Sequence, residues 1–246
     1  MNIHYMDNYQ EMSNLAAEVA AKEILSKLKE KKEKNGENFI LGLPTGSTPL
    51  GMYARLIEMN KSGKLDFSKV TTFNLDEYYP IKRDNSQSYY KFMFDNFFGK
   101  INIDCNNIHI PNGEASDADS ECGEYEKKIQ SNGGIDLMII GVGANGHIGF
   151  NEPDDVLIPD THVAYLSENT KEQNKRFFNS IDEVPARALT MGMGSILKAK
   201  KILMLVSGES KREIFKKLLE SKINTGNPAS FLYLHRDVTV VADIRI

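Results

Sequence analysis

Apolar positions along the chain alternate between two periods. Leu15, Val19, Leu25 and Leu28, with Ala16 and Ala20 between them, recur at helical spacing and predict a helix from Asp7 to about Lys34. Asp7 and Gln10 stand where a capping pair would open it. Its charged end, KLKEKKEK, interleaves glutamate with lysine and reads as a solvated face. Phe39 to Leu43 is instead a short continuous apolar run, closed by Pro44 and Gly46. A helical stretch follows from Pro49 to about Met59, with Thr48 as its cap.

The same beat returns along the chain. VTTFNLD (70 to 76) precedes a helical SYYKFMFDNFF (88 to 98), and a helical stretch around 117 to 130 precedes DLMIIGV (136 to 142). KILMLV (201 to 206) leads into a helix over roughly 210 to 220, and VTVV (238 to 241) forms the last strand. Apolar strands separated by helices predict a doubly wound α/β fold, Rossmann-like, with a mostly parallel sheet covered on both faces. Residues 152 to 184, with Pro153 and Pro159, are weakly patterned and read either as a lid, at about 155 to 185, or as a surface excursion with one ordinary helix, within a single domain spanning 1 to 246.

Composition narrows the function classes. The 246 residues are 41% hydrophobic and 26% charged, near globular averages, which excludes a disordered or collagen-like chain. A net charge of −4 supplies no broad field for nucleic acid. Neither a secretory pattern at MNIHYMDNYQEMSN nor an 18-residue apolar run is present, so no membrane partner is expected. Two cysteines, Cys105 and Cys122, fit a reducing, cytoplasmic setting. His4, His109, His162 and His235 show no metal-binding spacing, and no metal is expected.

In a doubly wound sheet ligands collect beyond the carboxyl ends of strands, which directs attention to four segments. In LGLPTGSTPLGMY, Gly42, Thr45, Gly46, Ser47 and Thr48 lie between a strand and a helix start, where backbone N–H groups and hydroxyls can receive a phosphate. The alternative is a turn with an ordinary cap. No Gly-Lys-Ser/Thr follows, so it is not a Walker loop. In TFNLDEYYP, Asp76 and Glu77 end a strand with diverging side chains. One can face the crevice as a base toward a carbon acid, or either can be a capping carboxylate.

GVGANGHIGFNEP is the most unusual segment. Gly141, Gly143 and Gly146 satisfy G-x-G-x-x-G, but Gly149 and Pro153 oppose a helix there, so a dinucleotide site is not expected. The turn presents His147, with Asn145 and Glu152 nearby in sequence, either as a general acid and base or as a structural residue. In VSGESKRE, Lys211 falls in the first turn of a helix, where a cation opposes the dipole unless an anion sits there. It is otherwise a surface lysine.

Together these segments resemble the glucosamine-6-phosphate deaminases, through LGLPTGSTPLGMY, FNLDEYY, GHIGFNEP, NKRFF, ALTMGMG and the G-x-x-K turn, across almost the whole chain. The resemblance implies a Rossmann-like domain with a mobile lid and the conversion of D-glucosamine 6-phosphate and water to D-fructose 6-phosphate and ammonia, in amino-sugar catabolism. By motif, Asp76 would move the C2 proton, His147 would assist ring opening, and Asn145 and Glu152 would orient or polarise it. Phosphate would lie on Gly42 to Thr48, held also by Arg176 from the lid and by Lys211.

Two departures shape these expectations. Some members carry aspartate two residues before the histidine, whereas Asn145 stands here and leaves Glu152 as the charged partner. The chain also ends at VADIRI without the extension of the allosterically activated hexameric branch, so activation by N-acetylglucosamine 6-phosphate is not expected and a monomer or small homo-oligomer is. Two rivals share the implied fold. A 6-phosphogluconolactonase would follow its Gly-His with Thr-Ala-Ser-Leu-Phe-Pro in place of IGFNEP, and a sugar-phosphate-sensing regulator would need a DNA-binding segment.

Overall fold

The computed structural model describes residues 1–34, 38–166, 180 and 183–246. Seven strands form one sheet in the order β1 (Asn2–Tyr5), β10 (Val238–Ala242), β9 (Lys201–Val206), β6 (Leu137–Gly141), β2 (Phe39–Leu43), β3 (Val70–Asn74) and β5 (Ile108–His109). All of its neighbouring strands pair in parallel. A smaller antiparallel sheet holds β4 (Asp76–Tyr79), β8 (Arg187–Thr190) and β7 (His162–Tyr165).

Alternation along the strands explains the two covered faces. Leu41, Leu137, Ile139, Leu203 and Leu205 point into one core, against α1 (Tyr9–Lys34), α2 (Leu50–Lys61) and α3 (Tyr89–Asn96). Ile40, Met138, Ile140, Ile202 and Met204 point into the other, with Tyr125 and Ile129 of α4 (Ala118–Ser131) and Phe215 and Leu218 of the helix Arg212–Leu219. Successive side chains on a strand leave from opposite faces, so an unbroken apolar run is what a doubly covered sheet requires. Among the described residues, no helix is long and apolar enough to cross a membrane.

Several local expectations are corrected. The expected strand 70 to 76 is two strands. Leu75 donates its N–H to the Leu43 carbonyl at 3.1 Å and accepts from Met191 N–H at 2.7 Å, carrying the chain from the large sheet to the small one. Helix α1 is capped by Asn8, whose Oδ1 accepts from Glu11 N–H at 2.9 Å, while Glu11 reaches back to Asp7 N–H at 3.3 Å. The capping pair is therefore Asn8 and Glu11 rather than Asp7 and Gln10. Pro49 occupies the N-cap position of α2 with no side-chain cap bond, so Thr48 does not cap it. Within the expected lid, residues 162–165 form β7, while 167–179 and 181–182 lie outside the described residues.

Strand β2 is tied to its neighbours by a buried carboxylate. Asp136 accepts from Ile40 N–H at 2.9 Å and from Lys200 Nζ at 2.7 Å. Removing the carboxylate leaves the buried Ile40 N–H without its acceptor, at a cost of about 2 kcal/mol, while the half-exposed Lys200 ammonium returns to water. Asp136→Ala is expected to lower unfolding stability by that order, read from urea denaturation at neutral pH.

Candidate active site

Strand order reverses between β2 and β6: the chain runs outward from β2 through β3 to β5, then returns to β6 and proceeds through β9 and β10. Crevices beyond the carboxyl ends of strands at such a reversal are where open α/β sheets take ligands. All four segments singled out above follow strands of this sheet: β2, β3, β6 and β9.

After β2 the chain turns through Pro44 to Thr48. Gly46 adopts φ +99°, a left-handed conformation that glycine takes without penalty. From beneath, the buried Tyr53 of α2 donates its hydroxyl hydrogen to the Pro44 carbonyl. Thr45, Gly46, Ser47 and Thr48 are all at least partly exposed. Gly42 does not belong to this turn. It lies inside β2, paired with Phe73 and Met138, and a Cβ there would stand 2.4 Å from Met138 Sδ. Its missing side chain serves the packing of two strands.

After β3 the two adjacent acids separate, because consecutive residues of β4 point to opposite sides. Glu77 is the capping carboxylate. Its oxygens accept from the N–H groups of Tyr89 (2.8 Å) and Tyr90 (2.9 Å) at the start of α3 and from the Ser88 hydroxyl (2.8 Å). Negative charge at a helix N-terminus is favourable. Asp76 faces the other way, paired across the small sheet with Thr190. It is 6% exposed, and burial, with the Glu77 charge as a lesser cause, pushes its carboxyl up to about 8. Carboxyls raised by burial in this way are enriched at acid–base sites and occur in structural networks as well. The capping reading of the acidic pair thus falls to Glu77, and Asp76 is the carboxyl left facing away from α3.

After β6 the chain makes a tight turn, with no helix opening at Gly146. The dinucleotide motif thus lacks its structural context. Gly143 donates its N–H to the His147 carbonyl at 2.9 Å, and a Cβ on Gly143 would lie 2.1 to 2.3 Å from His147 ring atoms. His147 Nδ1 lies 2.7 Å from Asn145 Oδ1, and Asn145 Nδ2 donates to Glu152 Oε2 at 2.6 Å. Glu152 Oε1 is also 3.4 Å from His147 Nδ1. An ionised carboxylate only accepts hydrogen bonds, so Glu152 fixes the amide orientation, and the amide oxygen in turn requires the hydrogen on Nδ1. The lone pair is left on Nε2, the arrangement a general base needs.

The turn also reaches Asp76. A Cβ at Gly149 (φ +61°) would lie 3.2 Å from Asp76 Oδ2 and 2.9 Å from Thr190 Oγ1. Asn151 Nδ2 donates to the carbonyls of Ile148 and Met191, each at 2.8 Å, locking the turn to the residue after β8.

After β9, Asp243 shapes the last turn by accepting from the Ser207 hydroxyl (2.6 Å) and from Gly208 N–H (3.0 Å). Lys211 ends a single 3₁₀ turn, Glu209–Lys211, directly before the helix Arg212–Leu219. Arg176 lies outside the described residues. Among those described, no cluster of histidine, cysteine and acidic side chains could hold a metal. Sequence reasoning missed Tyr53, Thr190, Asn151 and Asp243. Asp243 follows directly on the end of β10, so the rule applied to four strands reaches it when applied to a fifth.

The family described as Glucosamine-6-phosphate isomerases/6-phosphogluconolactonase matches residues 11–241. The chain belongs to that family. Within it, a glucosamine-6-phosphate deaminase of Thermoanaerobacter sp. (strain X514) is 55% identical over 236 residues, 96% of this chain and 90% of the relative. One of Clostridium botulinum (strain Loch Maree / Type A3) is 50% identical over 243 residues, 99% of this chain and 96% of the relative. A solved structure of a monomeric glucosamine-6-phosphate deaminase superposes with a TM-score of 0.91 at 45% identity, covering 98% of this chain and 97% of that one. The 6-phosphogluconolactonase of Thermotoga maritima superposes at 0.73 with 19% identity, over 98% of each chain, and shares the fold.

Proposed function

We propose that this chain catalyses the isomerising deamination of D-glucosamine 6-phosphate with water to D-fructose 6-phosphate and ammonia. The observation that carries the residue roles is the buried Asp76, poised to titrate near neutrality and packed against the same glycine-rich turn that presents His147. Half-identical deaminase relatives spanning nearly the whole chain support the reaction itself, whereas the lactonase alternative rests on the shared family and on fold likeness at 19% identity.

In this reading His147 Nε2 takes the proton of the ring hydroxyl and returns it to the ring oxygen, opening the sugar to its aldehyde. Glu152 steadies the imidazolium through its own charge and through Asn145. Asp76 then removes the C2 proton while the substrate's ammonium gives one of its protons to O1, forming the enolamine, and Asp76 delivers its proton to C1, which leaves a 2-iminium. Water adds to the imine carbon, and ammonia departs as the ketone forms. The substrate's ammonium is the opposite charge that draws Asp76 into its ionised form on binding. Phosphate lies on Thr45 to Thr48, helped by Lys211 and Arg176, and its binding holds C1 and C2 at the carboxylate. We read the protein further as a cytoplasmic enzyme acting as a monomer or small homo-oligomer, without a cofactor.

Matched release of ammonia and fructose 6-phosphate from glucosamine 6-phosphate is the expected result, assayed beside galactosamine 6-phosphate and 6-phosphogluconolactone. Lactone hydrolysis without ammonia release would overturn the proposal.

A further inference from the structure

The first residue of α1 touches the turn after β2. The Tyr9 hydroxyl lies 3.1 Å from the Ser47 carbonyl and 3.2 Å from the Thr48 carbonyl, sharing its one hydrogen between them. It also accepts from Gly51 N–H at 2.8 Å. The contact is close because residue 51 has no side chain: a Cβ there would stand 2.3 Å from Ser13 Oγ and 3.1 Å from Tyr9 Cε1.

These bonds have a directional effect. A trans peptide sends its C=O and N–H opposite ways, so drawing the Ser47 carbonyl toward α1 turns the N–H of Thr48 away from it. Tyr53 does the same one turn earlier, through the Pro44 carbonyl and hence the N–H of Thr45. The start of α2 has little left for an anion: Pro49 carries no N–H, Leu50 donates to the Ser47 carbonyl at 3.3 Å, and Gly51 donates to Tyr9. An anion at this turn must therefore be held by loop amides whose direction is set from behind.

We propose that Tyr9 is a positioning residue for the substrate phosphate, aligning the Thr48 amide through hydrogen bonds to the back of the loop. The inference rests on reading Thr45 to Thr48 as the phosphate site.

Tyr9→Phe removes only the hydroxyl from a ring that is 37% exposed, so the fold should be retained. Loss of one such bond is worth about 3- to 10-fold in an equilibrium. The expected result is a rise of that size in KM for glucosamine 6-phosphate, a parallel rise in the inhibition constant of inorganic phosphate, and a much smaller change in kcat. Tyr9→Leu should reproduce it. A fall in kcat with unchanged KM and unchanged phosphate inhibition would overturn the role of Tyr9 while leaving the phosphate loop intact. If inorganic phosphate does not compete with substrate in the wild-type enzyme, the loop reading and the role of Tyr9 fall together.

Discussion

Asp76→Asn should abolish deuterium exchange at C2 of glucosamine 6-phosphate while making the protein harder to unfold, and harder by more at pH 8 than at pH 5. The two halves have one cause. Burial holds the folded-state carboxyl at about 8, against an ordinary value of 3.8. Between those values the folded chain keeps a proton that the unfolded chain has released, so stability falls as pH rises and is lowest once the buried group ionises. Asparagine does not titrate and escapes that fall, which amounts to about 6 kcal/mol at its upper bound. Catalysis needs the ionised form, so kcat/KM of the wild-type enzyme should rise with pH on a limb set by this group. Removing the base should lower kcat by about 10²-fold or more. Retained exchange, or a thermal midpoint difference that does not grow with pH, would refute the assignment.

Gly143→Ala is expected to lower kcat/KM by about 10²- to 10³-fold, in the range of losing general acid–base help. The new methyl would occupy space within 2.1 to 2.3 Å of the His147 ring, and its ring atoms Nδ1, Cε1 and Nε2 are the ones in conflict. The imidazole must swing away and forfeit its 2.7 Å contact with Asn145. Gly143 does not lie in the left-handed region, so backbone strain adds nothing to the effect. Unfolding stability should change little beside that loss. A variant with wild-type kcat/KM would show that the ring position does not matter.

Most of the large sheet was legible in the sequence because its strands are buried on both faces. Phe39 to Leu43 and Ile202 to Val206 are apolar throughout, and no other element accommodates such runs so well. The strands that escaped lack that signature. Asn2–Tyr5 is an edge strand with mixed exposure, and Ile108–His109 is two residues long. His162–Tyr165 and Arg187–Thr190 belong to a sheet whose pairing is set by Leu75 and Met191, residues distant in sequence. The site was legible at strand ends, where glycine, histidine and carboxylates are conspicuous. Its supports were not, since Tyr9 and Tyr53 act through hydroxyls on carbonyls outside their own helices and read locally as helix residues.

The pairing of β7 with β8 also decides how the chain around Arg176 is anchored. Tyr165 stands opposite Arg187, and Leu166 N–H donates to the Ala186 carbonyl at 2.9 Å. The two ends of the intervening stretch are thus joined at one point on the sheet that carries Asp76, and the entropy of closing that loop is met by the ladder. Lengthening a closed loop costs little, about 0.6 kcal/mol per doubling. A change in the number of residues between Leu166 and Ala186 should therefore leave the β4–β8–β7 register, and with it the placement of Asp76 opposite Thr190, intact.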